Sequence, residues 1–487
     1  MEETWDQLTG AGVVTGVVTV LVVVALLVAP RNRRPSSALA WILLIGFVPV
    51  VGLVLFALIG SPKLPRGRRE KQQSMTALIT ERSRDLEDVG PEPGMPAWLP
   101  SVARLNRAVG AMPLLEDNDA HLLTTFEEQL DALVAAVRGA RRYLHVEFYI
   151  LSLDTTTAPF FEALDDAVQR GVTVRVLMDH MGSRKYPGYR RTRKELTRMG
   201  ADWRLMLPVQ PYRGRYQRPD LRNHRKLLVA DGEVGFVGSL NLIDPSYDSR
   251  SNRRRGLRWQ DLLAEIRGPV VHAIDALFVT DWYSETDVLL TSSQEQATAE
   301  QHQGALLAQV SPSGPAFPTE NNLALFNSLM YHAERRISIT SPYFVPDESL
   351  LAAITTAARR GVDVELFVGE IGDQFFVFHA QHSYYEELLA AGVRIYLYPR
   401  PAILHAKHIS VDDDVAVVGS SNMDIRSFQL DLELMLMVCG RTFVDEMRAV
   451  EDEYRRVSRE LTPASWSRRG VLHRTVDDFT RLTSAVQ

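Results

Sequence analysis

The sequence predicts an α/β protein: two pseudo-symmetric α/β/α halves, each a mixed, mostly parallel sheet with flanking helices, preceded by an N-terminal two-helix transmembrane hairpin. Three observations predict it. An order of strand, helix, strand, helix, strand occurs twice, and such internal repetition of apolar strands with helices implies sheets covered on both faces. Each copy ends in the same spaced polar cassette, and two long uncharged stretches stand at the N-terminus.

The first stretch, Ala11 to Ala29, holds 19 residues without a charge, and the second, Ala38 to Gly60, holds 23. Each is long enough to cross a bilayer, which takes about 20 apolar residues. The polar run Pro30-Arg31-Asn32-Arg33-Arg34-Pro35 between them is a hairpin loop, so residues 1–60 form a hairpin with helices at about 11–29 and 38–60. A signal peptide is disfavoured because Glu2, Glu3 and Asp6 occupy the place of a basic leader. Lys63, Arg66, Arg68, Arg69 and Lys71 follow the second stretch, and this excess of positive charge places both ends in the cytoplasm.

Residues 61–100, rich in charge, Pro and Ser, are expected to be a juxtamembrane linker. The first half is assigned to 101–283, a polar linker to 284–304 and the second half to 305–487. Arg142 to Tyr149 matches Arg336 to Phe344, a strand pattern ending in aromatics, and Ala167 to Met178 matches Ala357 to Val368, a helix end, a Gly and a buried strand. Glu195-Leu196 with Gly200 is echoed by Leu388-Leu389 with Gly392, and a cassette follows in each half. The halves are expected to meet with both cassettes at their seam.

The cassettes are His224, Lys226 and Asp231, and His405, Lys407 and Asp412, both reading H-x-K-x-x-x-x-D, each with an Asn seventeen positions after its His. One imidazole can attack phosphorus while a second delivers a proton to the leaving oxygen, so a pair suits phosphodiester chemistry that needs no metal. Only six lysines occur among 54 basic residues, yet two sit in the cassettes. A compact ammonium differs from a planar guanidinium, which fits a site shaped around one phosphoryl oxygen. Ser239, Asn241, Ser420 and Asn422, in the turns, are expected to bind the non-bridging oxygens. Asp261 and Glu433, 37 and 28 residues after the cassette histidines, are expected to fix the second ring nitrogen of His224 and His405, respectively. Asp231 and Asp412 follow an apolar strand and begin a turn, which gives them a structural part in the cassette.

The formal net charge of −6 argues against a general nucleic-acid binder. Residues 183–226 nevertheless carry fourteen Lys/Arg against three acids, a local basic surface suited to an anionic partner such as a phospholipid headgroup layer. The single cysteine, Cys439, excludes an internal disulfide and reads as a small core residue. With no Cys cluster and no H-E-x-x-H, neither a metal nor another cofactor is expected. His145, His180, His332, His379, His382 and His408 lack a partner cassette and are assigned to surface or core. Nothing in the sequence sets the oligomeric state.

The double cassette resembles the phospholipase D superfamily, so each half is expected to be phospholipase-D-like. Within it the chain resembles the bacterial cardiolipin synthases, through Arg222-Asn223-His224-Arg225-Lys226, Gly238-Ser239-Leu240-Asn241, Gly268-Pro269, Tyr343-Phe344-Val345-Pro346, Ser383-Tyr384-Tyr385-Glu386 and Asn422 to Phe428. The resemblance runs from the hairpin to about residue 460. It implies transfer of a phosphatidyl group from one phosphatidylglycerol to another with release of glycerol, through a phosphohistidine at His224, with His405 as acid and then base. It also implies a multi-pass protein of the cell (inner or plasma) membrane acting on anionic lipids of the bilayer. A membrane-bound phospholipase D or phosphodiesterase using water as acceptor is the alternative. The sequence departs from the family's pattern at Ser239, where a second Gly is common, at Asp431, where Asn is frequent, and in the Arg-rich run 210–220.

Overall fold

The computed structural model describes residues 16, 18–31, 35–61, 63–86, 95–213, 215–290 and 302–481. It divides into two compact units, Met1–Leu64 with Ala485–Gln487, and Pro65–Ser484.

In the N-terminal unit the second apolar stretch is two helices, Pro35–Phe47 and Pro49–Ile59, not one. Pro49 lacks the N–H that would continue the first helix and pushes the residue before it out of the helical region; Val48 lies at φ −133°, ψ 70°. Gly52 lets the two pieces approach, since a Cβ there would lie 2.7 Å from Ile45 Cα. The rings of Trp41 and Phe56 meet edge to face at 5.3 Å. Residues 18–28 are helical, while most of the expected start of the first span and Asn32 to Arg34 of its loop lie outside the described residues. Among the described residues no helix is long and apolar enough to cross a membrane. The expected continuous span of 38–60 is corrected accordingly, while that of 11–29 lies partly outside the described residues.

The larger unit is built on a sixteen-stranded sheet, counted among the described residues, whose strand order runs symmetrically outward from a central pair. That pair is Leu115–Leu123 against Leu306–Ser313, antiparallel. Outward in the first half come Leu263–Arg267, Val234–Gly238, Lys226–Ala230, Tyr143–Phe148, Thr173–Asp179 and Asp202–Met206. The second half repeats the order with Asp431–Cys439, Val415–Gly419, His408–Val411, Arg336–Thr340, Asp363–Gly369 and Arg394–Tyr398.

The sheet is mixed, but the expectation of mostly parallel strands is overturned. Along each half, the strands joined through helices run parallel, as Tyr143–Phe148 with Thr173–Asp179 and Arg336–Thr340 with Asp363–Gly369. From the cassette onward the chain returns by tight turns, which produce antiparallel neighbours. Asp231 and Gly232 make the first of these turns at φ 56° and 72°. Strands such as Lys226–Ala230 and Asp431–Cys439 are buried along their whole length because helices cover both faces.

Two boundaries also differ. Within the expected linker 61–100, Arg66–Arg82 is a helix held by Arg68 to Glu285 at 2.7 Å and by Lys71 to the carbonyl of Ser284 at 3.2 Å. Its Arg, Lys and Glu residues conceal a helix whose partners lie some two hundred residues away. Helix Leu99–Gly110 belongs to the core of the second half, where Leu99, Val102 and Ala103 pack with Phe326 and Leu329. Gln309 fixes it by donating to the carbonyls of Ala103 and Met112 at 3.0 and 2.8 Å. Helix Val270–Thr286 runs into the expected linker 284–304, most of which lies outside the described residues.

Candidate active site at the seam of the two halves

Each cassette histidine is placed by an exchange between the halves. Arg222-Asn223 pairs in parallel with Asp431-Leu432 of the second half, and Ala402–Leu404 pairs with Arg258–Gln260 of the first. The amide of His224 then donates to the carbonyl of Leu432, and that of His405 to the carbonyl of Gln260, both at 2.8 Å. The residue after each acceptor carries the carboxylate. Glu433 stands 2.9 Å from Nδ1 of His224, and Asp261 stands 2.6 Å from Nδ1 of His405. The expected pairing of each histidine with the acid of its own half is therefore corrected: the acids are exchanged.

Both Nδ1 atoms are engaged, which leaves Nε2 as the chemically available nitrogen of each ring. The two imidazoles are buried, 8% and 4% exposed, and lie within each other's electrostatic field. The ring of Tyr149 stands edge-on to His224 at 4.8 Å and that of Tyr247 to His405 at 6.5 Å. The sequence marks neither tyrosine as part of the site; its one signal for Tyr149 is the aromatic end of a strand repeated at Tyr343.

Lys226 and Lys407 are buried, and each ammonium turns back to donate to the carbonyl of its own cassette histidine. Asp231 and Asp412 lie away from the imidazoles, at the far ends of the cassette strands. Asp231 accepts from the amides of Arg141, Arg142 and Tyr143 at 2.7 to 2.8 Å. Asp412 accepts from those of Glu334, Arg335 and Arg336 at 2.8 to 3.0 Å. Each ties the cassette turn to the start of the neighbouring strand.

The turn residues differ from expectation. Ser239 donates to Asp261 at 2.6 Å and accepts from the Leu262 amide at 3.0 Å; Ser420 donates to Glu433 and accepts from the Leu434 amide at 2.9 Å. With its one proton committed, neither hydroxyl can donate to a phosphoryl oxygen; each orients the carboxylate that orients a histidine. Asn241 donates to the Tyr247 hydroxyl at 2.9 Å, and Asn422 to the Ser427 hydroxyl at 3.3 Å.

The electrostatics break the symmetry. Burial pushes the Glu433 carboxyl up to about 7 despite Lys226, whereas Asp261, buried as fully, is held below the usual aspartate value by His405 and Lys407. Burial, then the adjacent lysine, depresses His224 well below an ordinary histidine; His405 is depressed too, with Asp261 opposing. Burial also lowers Lys226 to about 7 and Lys407 to about 8. A phosphate entering between them would raise both by Coulomb attraction.

The other histidines divide. His145 is held by Asp275 at 2.6 Å and stacks on Phe278, His180 accepts from the Val209 amide, His332 stacks on Trp98, and His408 is buried. His379 and His382 instead form, with Asp477, a group able to hold a metal ion, outside the seam.

The model of a family described as "Cardiolipin synthase, PLD-like domain" matches residues 133–282 and 327–454, and one described as "Phospholipase_D-nuclease N-terminal" matches 18–61. Cardiolipin synthase A of Pectobacterium carotovorum subsp. carotovorum (strain PC1) is 32% identical over 464 residues, covering 93% of each chain. Cardiolipin synthase A of Serratia proteamaculans (strain 568) is 32% identical over 466 residues, again 93% of each chain. The crystal structure of phosphatidylserine synthase from Haemophilus influenzae Rd KW20 shares the fold, with a TM-score of 0.58 over 79% of this chain and 97% of that one at 15% identity. With the family model covering more than half of its length and relatives of this similarity spanning nearly all of it, the chain belongs to the cardiolipin synthase family of phospholipase-D-like proteins.

Proposed function

We infer that this chain is a phosphatidyltransferase that makes cardiolipin from two phosphatidylglycerols. The observation that carries the mechanism is the exchanged pair of histidine–carboxylate contacts, His224 with Glu433 and His405 with Asp261. Nε2 of His224 attacks phosphorus of the first phosphatidylglycerol; the P–O bond to glycerol breaks, and glycerol leaves with a proton from Nε2 of His405. The phosphatidyl group is then on nitrogen. A hydroxyl of the second phosphatidylglycerol attacks it, His405 takes that hydroxyl's proton, and the N–P bond breaks to release cardiolipin and restore both rings. Lys226 and Lys407 hold the non-bridging oxygens, where charge develops. The unequal carboxyls support this division: a near-neutral Glu433 favours an unprotonated nucleophile at 224, and an ionised Asp261 favours a protonated acid at 405.

The N-terminal unit serves as the membrane anchor. Val20, Leu21, Val24, Leu27, Leu43, Phe47, Val50 and Val54 expose apolar side chains that water disfavours and lipid accepts. The basic residues from Lys63 to Lys71 favour the cytoplasmic leaflet of the cell membrane for the catalytic unit.

The test is a lipid assay with purified protein in phosphatidylglycerol vesicles without added metal, comparing wild type with His224→Ala and His405→Ala. Cardiolipin and glycerol from wild type and neither from the variants is the expected result. Phosphatidic acid as the sole product would mean that water is the acceptor and would overturn the transferase reading.

A further inference from the structure

Helix Phe375–His382 and the C-terminal helix Val471–Arg481 bring His379, His382 and Asp477 together, with one donor atom from each within 4.8 Å of the others. Oδ1 of Asp477 lies 2.7 Å from Nδ1 of His379 and 3.8 Å from Nδ1 of His382. The three-residue spacing of the histidines sets both rings on one helix face. Asp477 is 2% exposed, and its other oxygen accepts from Arg469, whose guanidinium lies 3.2 Å over the ring of Trp466. His473, one helical turn before Asp477, is close enough to His382 to act on its charge.

A tetrahedral zinc ion takes nitrogen and oxygen donors at about 2.0–2.2 Å, which separates donor atoms by roughly 3.3–3.5 Å. The two observed separations, 2.7 and 3.8 Å, straddle that edge length, so small side-chain rotations would form the site. Two imidazoles and a carboxylate without thiols suit the later first-row divalent ions better than magnesium or calcium. Arg469 supplies the outer hydrogen bond that ligating carboxylates ordinarily have. The phosphoryl-transfer steps use none of these residues.

We propose that His379, His382 and Asp477 bind a divalent transition-metal ion of the zinc class, with His473 or water as fourth ligand, and that the ion clamps the C-terminal helix onto helix Phe375–His382. Binding through Nδ1 places each ring proton on Nε2, and the His379–Asp477 hydrogen bond is replaced by two bonds to the ion. The clamp bears on the seam through Asp373, just before the clamped helix, which accepts the Tyr343 hydroxyl at 2.8 Å and whose charge reaches Lys407.

The full chain, untagged, in detergent and stripped with a chelator, is titrated with Zn²⁺ and with Co²⁺ against a chromophoric competitor. Wild type is expected to take up one ion per chain, to show the intense visible bands of tetrahedral cobalt, and to melt higher when loaded. His382→Gln is the chief variant, because its ring lies beyond hydrogen-bond distance of Asp477 and its metal-free melting point serves as a folding control. It is expected to bind at least about tenfold more weakly and to lose most of the metal-dependent rise in melting temperature. Folded wild type that takes up no ion, or His382→Gln that binds as tightly as wild type, reduces the cluster to an ion pair and overturns the proposal. Neither outcome bears on the lipid assay, which reads a different site.

Discussion

Nδ1 of His224 lies 2.9 Å from the Glu433 carboxylate, although 209 residues separate them and they belong to opposite repeats. The reciprocal contact, Asp261 to His405 at 2.6 Å, makes each half's histidine depend on the other half's acid. Neither half alone contains an oriented cassette, so each histidine is oriented only when both halves are folded together.

The first prediction concerns the two acids and stability. Glu433 has a folded value of about 7, above its unfolded value, so the native state holds the extra proton between about pH 4.5 and 7. Stability therefore falls as pH rises through that window. Asp261 is shifted the other way; its contribution is present above the unfolded value of about 3.9 and is lost as pH falls through the lower folded value. At pH 8, Glu433→Gln should gain about 1–3 kcal/mol, and Asp261→Asn should lose about 1–3 kcal/mol. Both should lose cardiolipin synthesis by roughly a hundredfold. Equal signs in thermal melts at pH 8 would refute the asymmetry.

The second prediction separates scaffold from chemistry within the cassettes. Asp231→Ala or Asp412→Ala orphans three backbone amides, each costing about 1–3 kcal/mol when buried and unpaired. The variants should melt well below wild type. Whatever fraction is folded at low temperature should still form cardiolipin at a measurable rate, unlike His224→Ala, and complete inactivity of well-folded protein would show a direct chemical role.

The third prediction concerns the lysines. Lys226 sits in a buried slot where its ammonium reaches the His224 carbonyl and lies 5.3 Å from the Tyr149 ring. A guanidinium keeps the charge but not the shape. Lys226→Arg should cost about 1–3 kcal/mol from overpacking and lower kcat by roughly a hundredfold or more with less effect on KM. Steady-state rates on phosphatidylglycerol vesicles, with kcat retained in Lys226→Arg, would show that charge alone suffices.

What the sequence disclosed depends on how local the information was. The spacing of His224, Lys226 and Asp231 and its echo at His405 are fixed by residue identity within eight positions, and the strand and helix order follows from apolar periodicity. The partners of Asp261 and Glu433 are not legible in the sequence because the strand exchange between Asp431-Leu432 and Arg222-Asn223 leaves no local trace. Ser239 and Ser420 depart from the expected role because each hydroxyl meets the acid beside the neighbouring strand of its own half, a pairing that the spacing of the turns does not disclose. Helix Arg66–Arg82 was hidden by its charges, and the break at Val48 was legible in Pro49 but outweighed by the apolar run around it.

The fourth prediction tests which imidazole carries the phosphatidyl group. Both rings are depressed, but His224 faces a carboxyl that is half-protonated near neutrality, whereas His405 faces one that stays ionised. An imidazole beside a neutral acid keeps a free lone pair, and one beside a carboxylate retains its proton longer. Rapid quench with labelled phosphatidylglycerol, followed by peptide mapping under alkaline conditions, should find label on His224. In Asp261→Asn, His405 loses the group that holds its tautomer for accepting the second lipid's proton, so the labelled enzyme should persist longer than in wild type. Label on His405 in a chain with His224 intact would reverse the roles, because the contacts are symmetric and only the charge states distinguish them.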